Sequence, residues 1–281
     1  MSPTVTRTGR VRLDQLLIDR GLASTRTRAQ ALLLAGRVRV GAGDAARSDR
    51  KAGDLVDPLT PLEVEERDPY VSRGGHKLAA ALEAFGIDPA GLVCLDVGAS
   101  TGGFTDVLLQ RSAARVYALD VGRGQLAEAL RADPRVVSME RTNARTLGPG
   151  SLLEPVSLPV VDVSFISLSK VLGPMARCFD PTTGGPIVAL VKPQFEAGRG
   201  RTDHGVVRDP AIHREVLERV SADAAAEGIA PRGLIASPIL GPQGNREFLI
   251  CLDVRASWGP GATSASIPAD WSARIAEVVG S

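Results

Sequence analysis

Lysine is scarce in this chain of 281 residues, and two of its four lysines stand where a proton could be transferred. Lys192 ends an apolar run that predicts a strand, and Lys77 opens an amphipathic pattern that predicts a helix. Arginine, which the chain otherwise prefers, does not deprotonate in proteins and so cannot act as a base. A lysine with a lowered pKa can accept a proton, and nearby carboxylates can hold it in place. Lys192 and Lys77 are therefore candidates for acid–base chemistry.

A glycine-rich turn, "DVGASTGG" at residues 96–103, follows another predicted strand and opens a helix. Backbone N–H groups and a helix N-terminus can meet a ligand in that setting. The spacing of Gly98, Gly102 and Gly103 matches neither the dinucleotide pattern G-x-G-x-x-G nor a phosphate loop, which requires Gly-Lys-Ser/Thr. The turn therefore favours close approach to a nucleoside over tight binding of a pyrophosphate.

Two polar residues extend this candidate nucleoside site. Asp120 ends the next predicted strand, twenty-two residues after Gly98, where a carboxylate can accept hydrogen bonds from both ribose hydroxyls of an adenosyl cofactor. Asn143 follows the third strand and can contact an adenine amine or ring nitrogen. The predicted cofactor-binding residues are Asp96, Gly98, Ala99, Ser100, Thr101, Gly102, Gly103, Phe104, Asp120, Asn143 and Asp162.

The elements that must position these residues alternate between helices and apolar strands from about residue 76 to 256, which predicts an α/β fold with a mostly parallel sheet. About seven strands are predicted, at residues 92–97, 115–120, 136–140, 160–162, 187–192, 233–237 and 247–254. Open sheets of this class bind ligands at the carboxyl ends of their strands, where Asp162 and Lys192 lie. Pro159 precedes Asp162, so strand four is predicted to begin at Val160 or to have the proline at its first position.

Charge is unevenly distributed along the chain. Residues 1–55 carry a net charge of about +6, and the remainder about −5, although the whole chain is at +1. A basic N-terminal section on a mildly acidic body suggests that this section contacts a polyanion. A solvated arginine-rich face is the alternative interpretation.

Several classes of protein are disfavoured by composition. The three cysteines, Cys94, Cys178 and Cys251, lie far apart without a CxxC pair, which argues for a reducing compartment and against a disulfide framework or a structural zinc. The histidines show no metal-ligand pattern, so no metal site is predicted. Because neither a signal peptide nor an 18-residue apolar window is visible, we expect a soluble, cytoplasmic protein without membrane contact.

Four motifs together resemble one family. The glycine turn, "VDVSFISL", "LVKPQFE" and "GNREFLI" occur in the order typical of the TlyA family of RNA methyltransferases, whose catalytic domain is similar to the FtsJ-type Rossmann methyltransferases. The resemblance runs from about Arg10 to Val254. It implies a Rossmann-like, S-adenosylmethionine-dependent domain that methylates the ribose 2′-hydroxyl of cytidine in ribosomal RNA, with ribosomal subunits as partners.

The same resemblance implies a catalytic tetrad of Lys77, Asp162, Lys192 and Glu247. A ribose hydroxyl is barely ionised at neutral pH, so the site must position it and assist the loss of its proton. We expect Lys192 to accept that proton, while Asp162 and Lys77 orient the groups and Glu247 completes the charge network.

The N-terminal section resembles the small α+β RNA-binding domain named for the fourth small-subunit ribosomal protein, here called the head domain. It is carried by "RLDQLLIDRGLASTRTRAQALLLAGRVRV", two predicted helices and a basic strand. The expected phosphate-binding face comprises Arg10, Arg12, Arg20, Arg26, Arg28, Arg37 and Arg39. The predicted boundaries are a head domain at 1–66, a linker at 67–75, a methyltransferase domain at 76–256 and a flexible tail with a short helix at 257–281, in a monomer.

Three alternatives remain open. TlyA-like proteins are also named haemolysins, which would make the chain a membrane-active protein, although it lacks a strongly amphipathic basic helix with aromatics. A non-catalytic RNA-binding or ribosome-assembly factor could keep the same fold. A base methyltransferase would more often carry a catalytic cysteine or an Asn/Asp-Pro-Pro-aromatic motif after strand four, where this chain has "DVSF".

Overall fold

A computed structural model describes residues 9–65, 68–198 and 200–280. Residues 1–8, 66, 67, 199 and 281 lie outside the described residues; they belong to the predicted head domain, linker, methyltransferase domain and tail. The chain divides into two compact units, residues 1–68 and residues 69–281.

The first unit packs two helices on two small antiparallel pairs of strands. Its elements are β1 (Val11–Arg12), α1 (Leu13–Asp19), α2 (Arg26–Leu34), β2 (Val38–Val40), β3 (Leu55–Val56) and β4 (Leu62–Val64), with a 3₁₀ turn at Gly43–Ala45. Strand β1 pairs with β3, and β2 pairs with β4. Leucines at helical spacing, Leu13, Leu17 and Leu33 among them, fill its core.

The second unit is built on a seven-stranded sheet. Its strands are β5 (Val93–Val97), β6 (Arg115–Leu119), β7 (Val136–Met139), β8 (Leu158–Val161), β9 (Gly185–Val191), β10 (Ile229–Ala236) and β11 (Phe248–Val254). The order across the sheet is β10-β11-β9-β8-β5-β6-β7. Strands β5 to β9 run parallel, and β11 pairs antiparallel with both β9 and β10. The predicted α/β fold with a mostly parallel, seven-stranded sheet is confirmed.

Helices cover the sheet and complete the second unit. They are α3 (Gly74–Phe85), α4 (Gly103–Gln110), α5 (Glu128–Arg131), α6 (Leu172–Ala176), α7 (Pro193–Glu196), α8 (Pro210–Ala226) and α9 (Trp271–Gly280). Short 3₁₀ helices lie at Ala144–Thr146, Leu168–Lys170 and Pro242–Gly244. Buried apolar side chains form two clusters, one centred on Leu95 and Ile250 and the other on Leu108 and Leu249. Because successive strand residues point to opposite faces, the sheet separates these clusters.

Two local features differ from the sequence expectation. Pro159 lies inside β8, opposite Leu95, because pairing of β8 with β9 begins only at Val160 and leaves the proline unopposed on that side. Helix α3 begins at Gly74, inside the predicted linker. A Cβ atom on Gly75 would clash with the ring of Tyr70, so glycine permits this close approach.

The C-terminal residues pack on the second unit, in contrast to the expected flexible tail. Trp271, Ile275 and Val279 of α9 are buried. The Trp271 indole donates a hydrogen bond of 2.9 Å to Ser221 Oγ on α8. One apolar stripe, at i, i+4 and i+8, therefore holds α9 against the body of the unit. Within the described ranges, no helix combines the length and apolarity that crossing a membrane requires.

Candidate active site

Two lysine–carboxylate ion pairs stand at the candidate active site. Lys77 Nζ lies 2.5 Å from Glu247 Oε2, and Lys192 Nζ lies 2.5 Å from Asp162 Oδ1. Glu247 is completely buried, and the side chain of Lys77 is 9% exposed, so this pair is almost removed from solvent. The pair of Lys192 and Asp162 is the more accessible of the two, with 11% and 23% of the respective side chains exposed.

Four elements end or begin at one edge of the sheet and bring these residues together. Asp162 follows β8, Lys192 follows β9, and Glu247 precedes β11. Strands β9 and β11 are antiparallel with Phe248 opposite Val191, so Glu247 and Lys192 leave their strands at the same edge. A Cβ atom on Gly74 would lie 3.9 Å from Asp162 Oδ2, which places the start of α3, and hence Lys77, beside the second pair.

Ser164 is a further contact of Lys192 that the sequence did not suggest. The Lys192 ammonium donates a hydrogen bond of 2.9 Å to Ser164 Oγ. Lys192 is therefore held by a carboxylate and a hydroxyl that both come from the loop following β8. Ser164 lies three residues after the end of β8, and only the folded chain shows that its hydroxyl reaches Lys192.

A cavity of about 500 Å³ opens beside Asp162. Five of the predicted cofactor-binding residues line it: Gly98, Ser100, Asp120, Asn143 and Asp162. The lining residues that sequence reasoning did not assign to a cofactor site are Val97, Leu119, Val121, Gln125, Ala144, Arg145, Val163, Ser164, Phe165, Ile166 and Val171. Six predicted residues do not line this cavity. Asp96 lies in β5, and the other five belong to the turn and the start of α4: Ala99, Thr101, Gly102, Gly103 and Phe104.

The glycine turn brings backbone close to the cavity. Gly98 has φ +85°, and a Cβ atom there would clash with the carbonyl oxygen of Asp162. Asp120 supports the turn, because its Oδ2 accepts from the Ser100 N–H at 2.9 Å and its Oδ1 accepts from the Gly122 N–H at 2.7 Å. Each carboxylate oxygen can accept a second hydrogen bond, so Asp120 can still receive hydroxyl groups. A cavity wall of exposed backbone beside a carboxylate is suited to bind an adenosyl group.

Asp96 lies behind this turn. It is completely buried, and its Oδ2 accepts from the Thr105 N–H at 2.9 Å and from Thr105 Oγ1 at 2.6 Å. Burial raises the pKa of Asp96 to about 7, and the nearby carboxylates of Asp162 and Asp120 contribute to that rise against the lowering effect of Thr105. Asp96 thus braces the first turn of α4.

Asn143 and Phe165 lie at other parts of the cavity wall. Asn143 is the N-cap of the 3₁₀ helix Ala144–Thr146, and its Oδ1 accepts from the Arg145 N–H at 3.1 Å. Phe165 is 89% exposed, with φ +64°. Its ring lies 4.7 Å from the ring of Phe195, which in turn lies 6.0 Å from Lys192 Nζ. An aromatic face therefore stands open beside the Lys192 ammonium.

In the first unit, a buried carboxylate engages two of the predicted RNA-binding arginines. Asp14 is completely buried and accepts hydrogen bonds from Arg12 at 2.9 and 3.0 Å, from Arg26 at 3.1 Å and from Gln30 at 3.2 Å. The Arg12 guanidinium holds the pKa of Asp14 well below its usual range. Arg12 and Arg26 therefore stabilise this fold, and their charge is partly neutralised.

Two other arginines of the predicted RNA-binding set donate hydrogen bonds to backbone carbonyls. Arg20 donates to the carbonyls of Pro58 and Thr60, and Arg37 donates to the carbonyl of Glu65. Because a backbone carbonyl carries no net charge, these contacts do not neutralise the positive charge of either guanidinium. The exposed arginines of the set whose side chains make no hydrogen bond or ion pair with the described residues are Arg10, Arg28 and Arg39.

Comparison with known proteins identifies the second unit. Residues 70–254 match the family described as FtsJ-like methyltransferase. The chain belongs to this family. Across 86% of this methyltransferase and 90% of the relative, it is 48% identical to the 16S/23S rRNA (cytidine-2′-O)-methyltransferase TlyA of Mycobacterium tuberculosis.

Two further relatives carry a different name. The methyltransferase is 39% identical to Hemolysin A of Brachyspira hyodysenteriae, over 85% of its own length and 98% of that protein. A solved structure from Streptococcus thermophilus, of a protein described as a hemolysin, is 42% identical and superimposes with a TM-score of 0.69 over 97% of this chain and 96% of that one. The names of the relatives thus divide between an RNA-modifying and a lytic activity.

S-adenosylmethionine is the methyl donor of this methyltransferase. The cavity fits it, because the backbone at Gly98 allows close approach and the Asp120 carboxylate can accept ribose hydroxyls. In the ranges 9–65, 68–198 and 200–280, histidine, cysteine, aspartate and glutamate side chains form no group of three that could hold a metal ion.

Proposed function

We propose that this methyltransferase modifies the ribose 2′-hydroxyl of cytidine in ribosomal RNA, of the small and the large subunit. The observation that carries the proposal is the pairing of Lys192 at 2.5 Å with Asp162, a residue that lines the cofactor cavity. The M. tuberculosis relative, whose name specifies cytidine 2′-O-methylation of 16S and 23S rRNA, supports the substrate.

The proposed reaction is an in-line displacement by a poor nucleophile. S-adenosylmethionine supplies the methyl group from its sulfonium centre when it is bound. Lys192 in its neutral form accepts the proton of the 2′-hydroxyl, and Asp162 orients Lys192 and stabilises the charge that it gains. Lys77, held by Glu247, helps to orient the hydroxyl.

A base-directed reaction through a cysteine is disfavoured by the thiols of this chain. Cys94, Cys178 and Cys251 are all buried. Burial raises the pKa of Cys94 and Cys251 to about 12 and that of Cys178 to about 11. A buried thiol that stays protonated near neutral pH is a poor nucleophile, so the lysine–carboxylate pairs remain the better candidates.

Phe165 is the proposed stacking surface for the target base. Its exposed ring packs against Phe195, whose ring centroid lies 6.0 Å from the nitrogen of the lysine that would accept the proton. Aromatic side chains bind unpaired bases by stacking, which contributes about 1–3 kcal/mol per base. A base stacked there would bring its own ribose toward Lys192.

The head domain is proposed to bind ribosomal RNA in the cytoplasm through Arg10, Arg28 and Arg39, the arginines whose side chains have no described partner. Few aromatics accompany them, which favours recognition of phosphates and of the shape of folded RNA. The oligomeric state is predicted to be monomeric.

The test is methyl transfer from labelled S-adenosylmethionine to purified small and large ribosomal subunits that lack the modification. Label recovered as 2′-O-methylcytidine, and lost in Lys192→Ala, supports the proposal. Label in a base, or none despite measured cofactor binding, contradicts it. Leakage from liposomes by lipid-free protein would instead favour the activity that the relatives named hemolysin suggest.

A further inference from the structure

We propose that Glu196 is a positioning residue of the active site: it anchors the loop of residues 163–167, which carries Ser164 and Phe165, to the helical turn that begins at Lys192. The inference rests on the proposed function only for its kinetic consequence, because the anchor itself is a structural contact. Glu196 lies outside the four residues to which catalytic roles were assigned.

Both oxygens of the Glu196 carboxylate accept hydrogen bonds where the loop ends. Oε2 accepts a hydrogen bond of 2.8 Å from Ser167 Oγ, and Oε1 accepts one of 2.8 Å from the Leu168 N–H. Glu196 is 7% exposed, so water competes little for these contacts. Ser167 is the N-cap of the 3₁₀ helix Leu168–Lys170, and Glu196 therefore binds the loop at the point where that helix begins.

The other end of the contact is tied to Lys192. Helix α7 is a single turn for which Lys192 is the N-cap, and the Phe195 N–H donates to the Lys192 carbonyl at 2.9 Å. Arg219 of α8 donates to the carbonyl of Glu196 and holds the end of the turn. A displacement of Glu196 therefore moves the segment that contains both Lys192 and Phe195.

Between its two ends, the loop is held in an unfavourable conformation. At its start, the Asp162 N–H donates to the Val97 carbonyl at 2.9 Å, and at its end Glu196 holds Ser167 and Leu168. Phe165 between them has φ +64°, a region that costs a non-glycine residue energy unless its surroundings enforce it. Loss of the anchor at Glu196 would let Phe165 relax and would move Ser164 away from Lys192.

The experiment compares Glu196→Ala, Glu196→Gln and Ser221→Ala with the wild-type full chain. Glutamine keeps both contacts, because its carbonyl can accept from Leu168 and its amide can donate to Ser167 Oγ. Ser221 is the control because it is also buried and hydrogen-bonded but makes its contact elsewhere. Its Oγ accepts a hydrogen bond from the Trp271 indole, on the side of α8 that faces α9. Three quantities are measured at temperatures well below the melting temperature of every variant. They are the single-turnover rate of methylation of ribosomal subunits, the dissociation constant for S-adenosylmethionine, and hydrogen exchange in peptides that cover residues 163–170.

We expect Glu196→Ala to slow single-turnover methylation by about 10- to 100-fold, because small misplacements of reacting groups have effects of this size. Its affinity for S-adenosylmethionine should fall by a smaller factor than the rate, because the released loop also lines part of the cofactor cavity, and exchange in residues 163–170 should accelerate. Glu196→Gln should restore both rate and exchange, and Ser221→Ala should lower the melting temperature without slowing methylation.

Three outcomes would overturn the inference. They are an unchanged rate in Glu196→Ala, a Glu196→Gln variant as slow as Glu196→Ala, and an equal slowing in Ser221→Ala. If the wild type itself transfers no methyl group to ribose, the proposed function fails, while the exchange comparison between the Ala and Gln variants still decides whether Glu196 anchors the loop.

Discussion

Lys77 and Glu247 are 170 residues apart in the sequence, yet Lys77 Nζ lies 2.5 Å from Glu247 Oε2. The Glu247 carboxylate is completely buried there. A charge removed from water is tolerated when its partner is present, and removal of one partner leaves the other uncompensated. The contact joins α3 to the residue that precedes β11, so it links the beginning of the methyltransferase unit to the start of its last strand.

This pair predicts a non-additive effect on stability. Lys77→Met should lower the free energy of unfolding by about 3–5 kcal/mol, because the Glu247 carboxylate would stay buried without its counter-charge. The double variant Lys77→Met/Glu247→Gln should recover a large part of that loss, as urea unfolding can measure. Equal stability of the single and double variants would show that the loss does not come from an uncompensated charge on Glu247.

Lys192 is predicted to act through its ability to lose a proton. Lys192→Arg keeps the positive charge beside Asp162 but cannot deprotonate, so it should slow methyl transfer about as much as Lys192→Ala, by roughly 10²- to 10⁴-fold. Single-turnover rates and binding of S-adenosylmethionine by calorimetry would be compared. The exposed Lys170 provides the control Lys170→Ala, and a wild-type rate in Lys192→Arg would rule out a base at this position.

Asp96 predicts a pH dependence of stability. Its pKa is raised to about 7 by burial, whereas an unfolded chain would show about 4. Between these values the folded state binds one more proton than the unfolded state, so this group makes the protein less stable as pH rises from about 4 to about 7.

The measurement is urea unfolding at pH 5, 6 and 7 for the wild type and Asp96→Asn. Asparagine can still accept from Thr105 but does not titrate, so its curve should lack the decrease that the wild type shows over this range. Parallel curves for the two proteins would mean that Asp96 is already ionised when folded.

Arg28 and Arg26 are predicted to behave differently although they are two residues apart. Arg28→Gln should weaken binding to ribosomal RNA and lower the slope of log affinity against log salt by about 1, because it removes one phosphate contact. Arg26→Gln should mainly reduce the stability of the head domain, since Asp14 loses one of its partners. Affinity titrations at several salt concentrations, with thermal unfolding alongside, separate the two effects, and identical behaviour of the variants would contradict this distinction.

The pattern of apolar residues along the sequence was sufficient to predict the architecture of the second unit. Apolar runs of strand length separated by helical stretches predicted seven strands, and all seven are present. Asp162 and Lys192 could be expected at one edge because parallel strands end together. The short helix of the tail was predicted, but its packing was not, because the apolar stripe of α9 is buried only against the surface that α8 provides.

The charged contacts required the tertiary structure. Sequence and family resemblance named four catalytic candidates but not which lysine meets which carboxylate, and they did not indicate the anchor at Glu196. Seven arginines looked equivalent along the chain, yet two of them pair with Asp14. The sequence by itself determined the elements and the edge at which chemistry occurs, because these follow from local periodicity and strand direction. Only the folded chain decided the partner of each charge, because a buried charge is stabilised by whichever distant group the packing brings within hydrogen-bond distance.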